Sequence, residues 1–171
     1  MARRIVSCTT LTPTAFADTT NMTNGAYPFM LQGGTATQLN KVWEISIAGQ
    51  APSSSSPTIM LLSRDSQVAT GANSNGTGVT DAAIDPATAA LAAPAFTGNI
   101  NATALPQRSS TLHLANCSLN AFGGVYFWRA NRLEECFSVL GNTASLGEVS
   151  LSAFTGGTPG LVGSHMIYES L

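Results

Sequence analysis

Apolar and polar residues alternate with period two in several separate stretches of the chain. Residues 41–48 place Trp43, Ile45 and Ile47 on one face and Val42, Glu44 and Ser46 on the other. Residues 146–154 place Val149, Leu151 and Ala153 opposite Glu148, Ser150 and Ser152. Successive side chains of a strand point to opposite faces, so each stretch predicts a strand with one buried side. Residues 58–63 (TIMLLS) form a nearly continuous apolar run and predict a buried strand. Further strands are predicted at 26–32, 96–104, 136–140 and 162–168, with a short one at 5–10. Pro28 puts the 26–32 strand at an edge or a strand start.

The densest aromatic stretch, 109–129, predicts a β-hairpin or two neighbouring strands at the centre of the core. Its break is Asn120-Ala121-Phe122-Gly123-Gly124. Leu112 and Leu114 point one way; His113, Ala115 and Cys117 point the other. Val125 and Phe127 oppose Tyr126 and Trp128. Leu112, Leu114 and Phe127 are the simplest core residues. Tyr126 and Trp128 then share a face that could be the outer one.

Between these runs lie polar or glycine-rich loops at 51–57, 71–78 and 156–160, and a charged bend at 129–135. Residues 81–93 have helical composition, with Asp85 as N-cap and Pro86 in the first turn. The expected fold is all-β: an antiparallel β-sandwich or jelly-roll-like barrel with an extended N-terminal arm and one short helix. Residues 1–24 form the arm and 25–171 a single β-sandwich domain. Ile5, Val6, Leu11 and Phe16 give the arm apolar contacts to bury on a neighbour, with Arg3 and Arg4 as its basic pair.

Composition changes the picture chiefly through charge. Only 9% of the 171 residues are charged and the formal net charge is −2, against about 25% charged in average soluble domains. Few charges need desolvating where such a surface meets another protein. With seven basic residues and no Lys/Arg run, nucleic acid is not an expected partner. No run approaches a membrane span. Cys8, Cys117 and Cys136 have neither a disulfide framework's parity nor a zinc spacing, and buried free thiols are the expectation, as in a reducing cytosol.

Candidate chemistry is thin. Nucleophile-elbow, phosphate-loop and dinucleotide motifs are absent from the sequence. His113 and His165 could approach each other if their strands pair, and with Glu148 or Glu169 could hold a metal. Asp81 and Asp85 could bind calcium, although a helix cap explains Asp85 equally well. Glu134 and Glu135 beside Arg129 and Arg132 suit surface ion pairs better than a catalytic pair. No catalytic, cofactor or metal residue is therefore assigned. An outward-facing Tyr126 and Trp128 would instead offer a platform for sugar stacking.

The order of elements over residues 40–171 resembles small β-rich virion proteins of tailed bacteriophages, of the capsid decoration or cement kind. The resemblance lies in VWEISIAGQ (42–50), TIMLLSRDSQ (58–67), a polar loop, the DAA-rich insertion at 81, Asn101-Ala102-Thr103 and the closing SHMIYES (164–170). It implies a non-enzymatic virion structural protein that is made in the host cytoplasm and binds and stabilises the assembled phage capsid. Its partners would be the major capsid protein and neighbouring copies of itself, as a homo-oligomer with a trimer favoured. The contacts expected from the residues are Arg3, Arg4, Ile5, Val6, Leu11, Phe16, Tyr126 and Trp128. The alternative is a carbohydrate- or receptor-binding head-fibre or tail component.

Overall fold

The structure, a computed structural model, describes residues 29–32, 37–51, 57–66, 77–78, 83–87, 95–97, 107–120, 122–141, 148–153 and 162–171. The arm at 1–24, with Arg3, Arg4, Ile5, Val6, Leu11 and Phe16, lies outside the described residues, as does Cys8. Ten strands are described: β1 Phe29–Gln32, β2 Leu39–Gly49, β3 Pro57–Ser66, β4 Thr77–Gly78, β5 Ala95–Thr97, β6 Gln107–Asn120, β7 Val125–Arg129, β8 Phe137–Leu140, β9 Glu148–Ala153 and β10 Val162–Ser170. They form two antiparallel sheets, so the fold is all-β and sandwich-like. The first sheet has the order β4-β5-β1-β9-β3-β6. In the second, β2 is central: β10 pairs along one edge, and β7 and β8 share the other, end to end.

The two sheets bury one core between them. The first contributes Leu31, Met60, Leu62, Leu119, Val149 and Leu151; the second contributes Val42, Ile45, Ile47 and Val139. Arg64 ties the layers together, its Nη1 donating to the Ser138 carbonyl of β8 at 2.7 Å. Burial lowers the pKa of that guanidinium. Ser63, Ser150 and Ser152 alternate with the core residues of β3 and β9, yet they are fully buried as well. Both faces are therefore shielded from solvent around Ser63, Ser150 and Ser152, whereas Ile59, nearer the start of β3, is 39% exposed.

Three sequence expectations are corrected. Strands β6 and β7 are neither a hairpin nor neighbours, because β6 pairs with β3 in the first sheet and β7 with β2 in the second. The connection crosses from layer to layer. Asn120 shapes it by accepting twice, from Phe122 N at its side-chain oxygen and from Gly124 N at its carbonyl, each at 2.8 Å. Gly123 adopts φ +90°, a conformation that side chains disfavour. Within β6 the register shifts after Leu62↔Ala115 to Ser63↔His113, which leaves Leu114 as an extra residue. Ala115 and Cys117 consequently pack on the core along with Leu114.

The second correction concerns residues 83–87, which form an exposed turn in which Asp85 Oδ1 accepts from Ala87 N at 2.9 Å. That bond is the one expected of Asp85 ahead of a first-turn Pro86, but residues 86–87 form a turn rather than regular helix; the remainder of the predicted helix lies outside the described residues. The one helical element among the described residues is a single 3-10 turn at Leu133–Glu135, inside the expected charged bend. The third concerns the cysteines. Cys117 and Cys136 are free, but only Cys117 packs against the core; Cys136 sits at the end of the 3-10 turn.

Candidate binding face on the second sheet

The outer face of the second sheet is organised by a β-bulge in β2. Across the β10 pairing, Ile167 faces Glu44 and Tyr168 faces Val42, so Trp43 has no partner of its own. One extra residue reverses the alternation. Val42 is therefore fully buried beside Ile45 and Ile47, and Trp43 turns to the outer face. This overturns the expected setting of Trp43 in the core with Val42 outside it. The bulge is also where β7 hands over to β8: Ala130 N, at the exit of β7, donates to the Trp43 carbonyl at 2.8 Å. On β10, the Glu169 carboxylate accepts from Trp43 Nε1 at 3.3 Å.

Strand β7 is also reversed relative to expectation. Tyr126 and Trp128 face inward and pack on the core, Trp128 stacking on Phe137 with ring centroids 4.2 Å apart. The outward residues are Val125, 72% exposed, and Phe127, 57% exposed, and Phe122 is exposed on the preceding turn. The face proposed for partner contact, Tyr126 and Trp128, is thus the inner one, and Phe127 is not core. Burial raises the pKa of the Tyr126 phenol, and the adjacent Cys117 adds to the effect. Burial pushes the Cys117 thiol up to about 11.

Glu44 lies at the centre of the outer face with its side chain 17% exposed. Its two oxygens lie 3.9 Å from Arg129 Nε on β7 and 4.0 Å from His165 Nδ1 on β10. Register explains the trio, because Glu44 pairs with Arg129 on one side and Ile167, next to His165, on the other. Beside it an open groove of about 480 Å3 is lined by Trp43, Glu44, Ile84, Arg129, Asn131 and Ile167. Asn131, at the start of the bend after β7, completes the lining, and its backbone N donates to Glu135 Oε2 at 3.0 Å.

The histidines are separated by topology. His113 belongs to β6 in the first sheet and His165 to β10 in the second, and their strands do not pair. Among the described residues no group of three or more His, Cys, Asp or Glu is placed to hold a metal ion. Asp81 lies outside the described residues, so the Asp81–Asp85 pairing does too. No described helix is long and apolar enough to cross a membrane.

The outward residues Val125, Phe127 and Trp43 were not legible as a binding face from pattern alone. The available signal was the odd spacing of Val42 and Ile45, which marks a break of phase. No protein-family model, no curated protein and no solved structure matches the chain.

Proposed function

We propose that this chain is a non-enzymatic virion structural protein that binds and stabilises an assembled phage capsid. The observation that carries the reading is the exposure of three large apolar side chains close together in the chain, Phe122, Val125 and Phe127, on a molecule with few charged residues. Grouped exposed apolar side chains mark protein contact surfaces. Fully burying one Phe or Val side chain contributes about 1.5–3 kcal/mol, so each contact is modest. Placement of many copies on a lattice makes modest contacts tight. The phage setting is supported by the resemblance over residues 40–171. The proposed partners are the major capsid protein and neighbouring copies of the chain, three around a local symmetry axis, with residues 1–24 as a second contact.

The test is co-sedimentation of the purified protein with shells of the phage that encodes it, together with immunogold labelling of its virions. Binding should weaken in Val125→Ser/Phe127→Ser and on deletion of residues 1–20, while circular dichroism shows the domain still folded. Virions that carry none of the chain would refute the proposal.

A further inference from the structure

Phe122, Val125 and Phe127 leave the groove beside the β2 bulge unused. That groove depends on a single inserted residue. Without it, strict alternation would send the Trp43 indole into the sandwich; with it, the largest side chain of β2 reaches the groove wall. A bulge interrupts the ladder locally, and such insertions recur where a strand re-aims a side chain beside a binding site. The groove's volume, about 480 Å3, falls within the roughly 300–1,000 Å3 of small-ligand sites.

Its lining is chemically divided. Trp43, Ile84 and Ile167 offer apolar surface; Glu44 offers acceptors; Arg129 and Asn131 offer donors. Glu44 lies 3.9 Å from Arg129 and 4.0 Å from His165, and its side chain is mostly buried. Arg129, by contrast, is 70% exposed and keeps most of its guanidinium in water. With a carboxylate and a guanidinium on one wall, an anionic ligand meets Glu44 and a cationic one meets Arg129. A neutral ring with an apolar C–H face and hydroxyls around its rim satisfies both halves. The C–H face lies on the indole and isoleucines, and the hydroxyls donate to Glu44 and accept from Arg129 and Asn131.

We propose that this groove binds a neutral hexose unit of a glycan. The assignment is independent of capsid attachment, which uses Phe122, Val125 and Phe127 and is measured separately, so either can fail alone.

The test is tryptophan fluorescence of the purified full chain titrated with linear oligomers of glucose, mannose, galactose and N-acetylglucosamine. A sialylated and a sulfated oligosaccharide serve as charged counterparts. At least one neutral oligomer should give a saturable change in emission, more tightly than either charged probe. Calorimetry should show Trp43→Ala and Arg129→Ala each weakening that binding about tenfold or more, equivalent to ~1.4 kcal/mol. Phe127→Ser, on the same face outside the groove, should leave it unchanged. If Trp43→Ala fails to fold, Arg129→Ala and the exposed Ile84→Ser decide. Absence of binding to every neutral oligomer at millimolar concentration overturns the proposal, as does tighter binding of a charged probe. Retention of full affinity in the groove variants does so too.

Discussion

Replacing Val42 by alanine should destabilise the protein more than replacing its far larger neighbour Trp43. Val42 is fully buried between Phe137 on β8 and Tyr168 on β10, its register partners. Val42→Ala removes two methyl groups at about 0.8 kcal/mol each, or ~1.6 kcal/mol of transfer free energy. The void left behind adds to this, for a total of about 2–3 kcal/mol. Trp43→Ala forfeits partial burial on the outer face and one exposed bond to Glu169, whose net worth is about 0.5–1.5 kcal/mol. With the partial burial of the indole added, the expected cost is about 1.5–2.5 kcal/mol. Unbroken alternation inverts the order: a core tryptophan would cost about 3–5 kcal/mol, and an outward Val42 would stay within about 0.5 kcal/mol. Equilibrium urea unfolding followed by circular dichroism measures both variants without relying on the indole signal. For a chain of this size ~2 kcal/mol is about 4–8 °C in Tm. A Trp43→Ala cost above about 3 kcal/mol beside a near-neutral Val42→Ala would refute the bulge.

The Cys117 thiol sits above its ordinary 9.0, at about 11, because burial favours its neutral form. A raised folded-state pKa contributes stability below pH 9 that is lost as pH rises through about 11. The urea midpoint should fall across that window, and Cys117→Val should remove part of the decline, with Tyr126 and Cys136, whose pKa values burial also raises, contributing to what remains; an unchanged slope would contradict this. At the layer crossing, Gly123→Ala meets open space and should cost only the backbone term of about 1–2 kcal/mol. Gly124→Ala places a Cβ 2.7 Å from the Asn120 backbone N and O, so it should cost more, about 2–3 kcal/mol. Equal costs for the two would be inconsistent with the turn. Arg64→Ala should cost about 1.5–3 kcal/mol through loss of the charged bond to Ser138. Arg64→Met, which keeps the apolar stem and removes the buried charge, should cost less; the reverse order in the same unfolding assay would exclude that account.

The strands were legible because burial on one face writes period two into the sequence. Residues 39–49 and 148–153 were found within a few positions for that reason. Facing was legible only where the two faces differ in polarity. In β7, Val-Tyr-Phe-Trp is apolar on both sides, so nothing local distinguishes Tyr126 and Trp128 from Val125 and Phe127. In β2 the indole of Trp43 fitted the apolar period and concealed the phase break between Val42 and Ile45. The Gly123-Gly124 turn signalled reversal, but whether a turn closes a hairpin or changes layer depends on which strands each arm pairs with, a non-local matter. The groove escaped for the same reason. It joins residues 43–44, 84, 129–131 and 167, which only the completed second sheet brings together.

The pairing of β2 with β10 also orders events during synthesis. Gln38 and Ser170, which bond across the end of this pair, are 132 residues apart. When β2 leaves the ribosome, neither of its edges has a partner. Strands β7 and β8 become available first, for one edge, long after β2, and β10 last, for the other. Long-range pairings of this kind are slow to close, and a nascent strand carrying Val42, Ile45 and Ile47 is open to wrong pairing while it waits. The chain is therefore expected to complete its second sheet only after translation has passed β10, and pauses upstream of that point should lower the yield of folded protein.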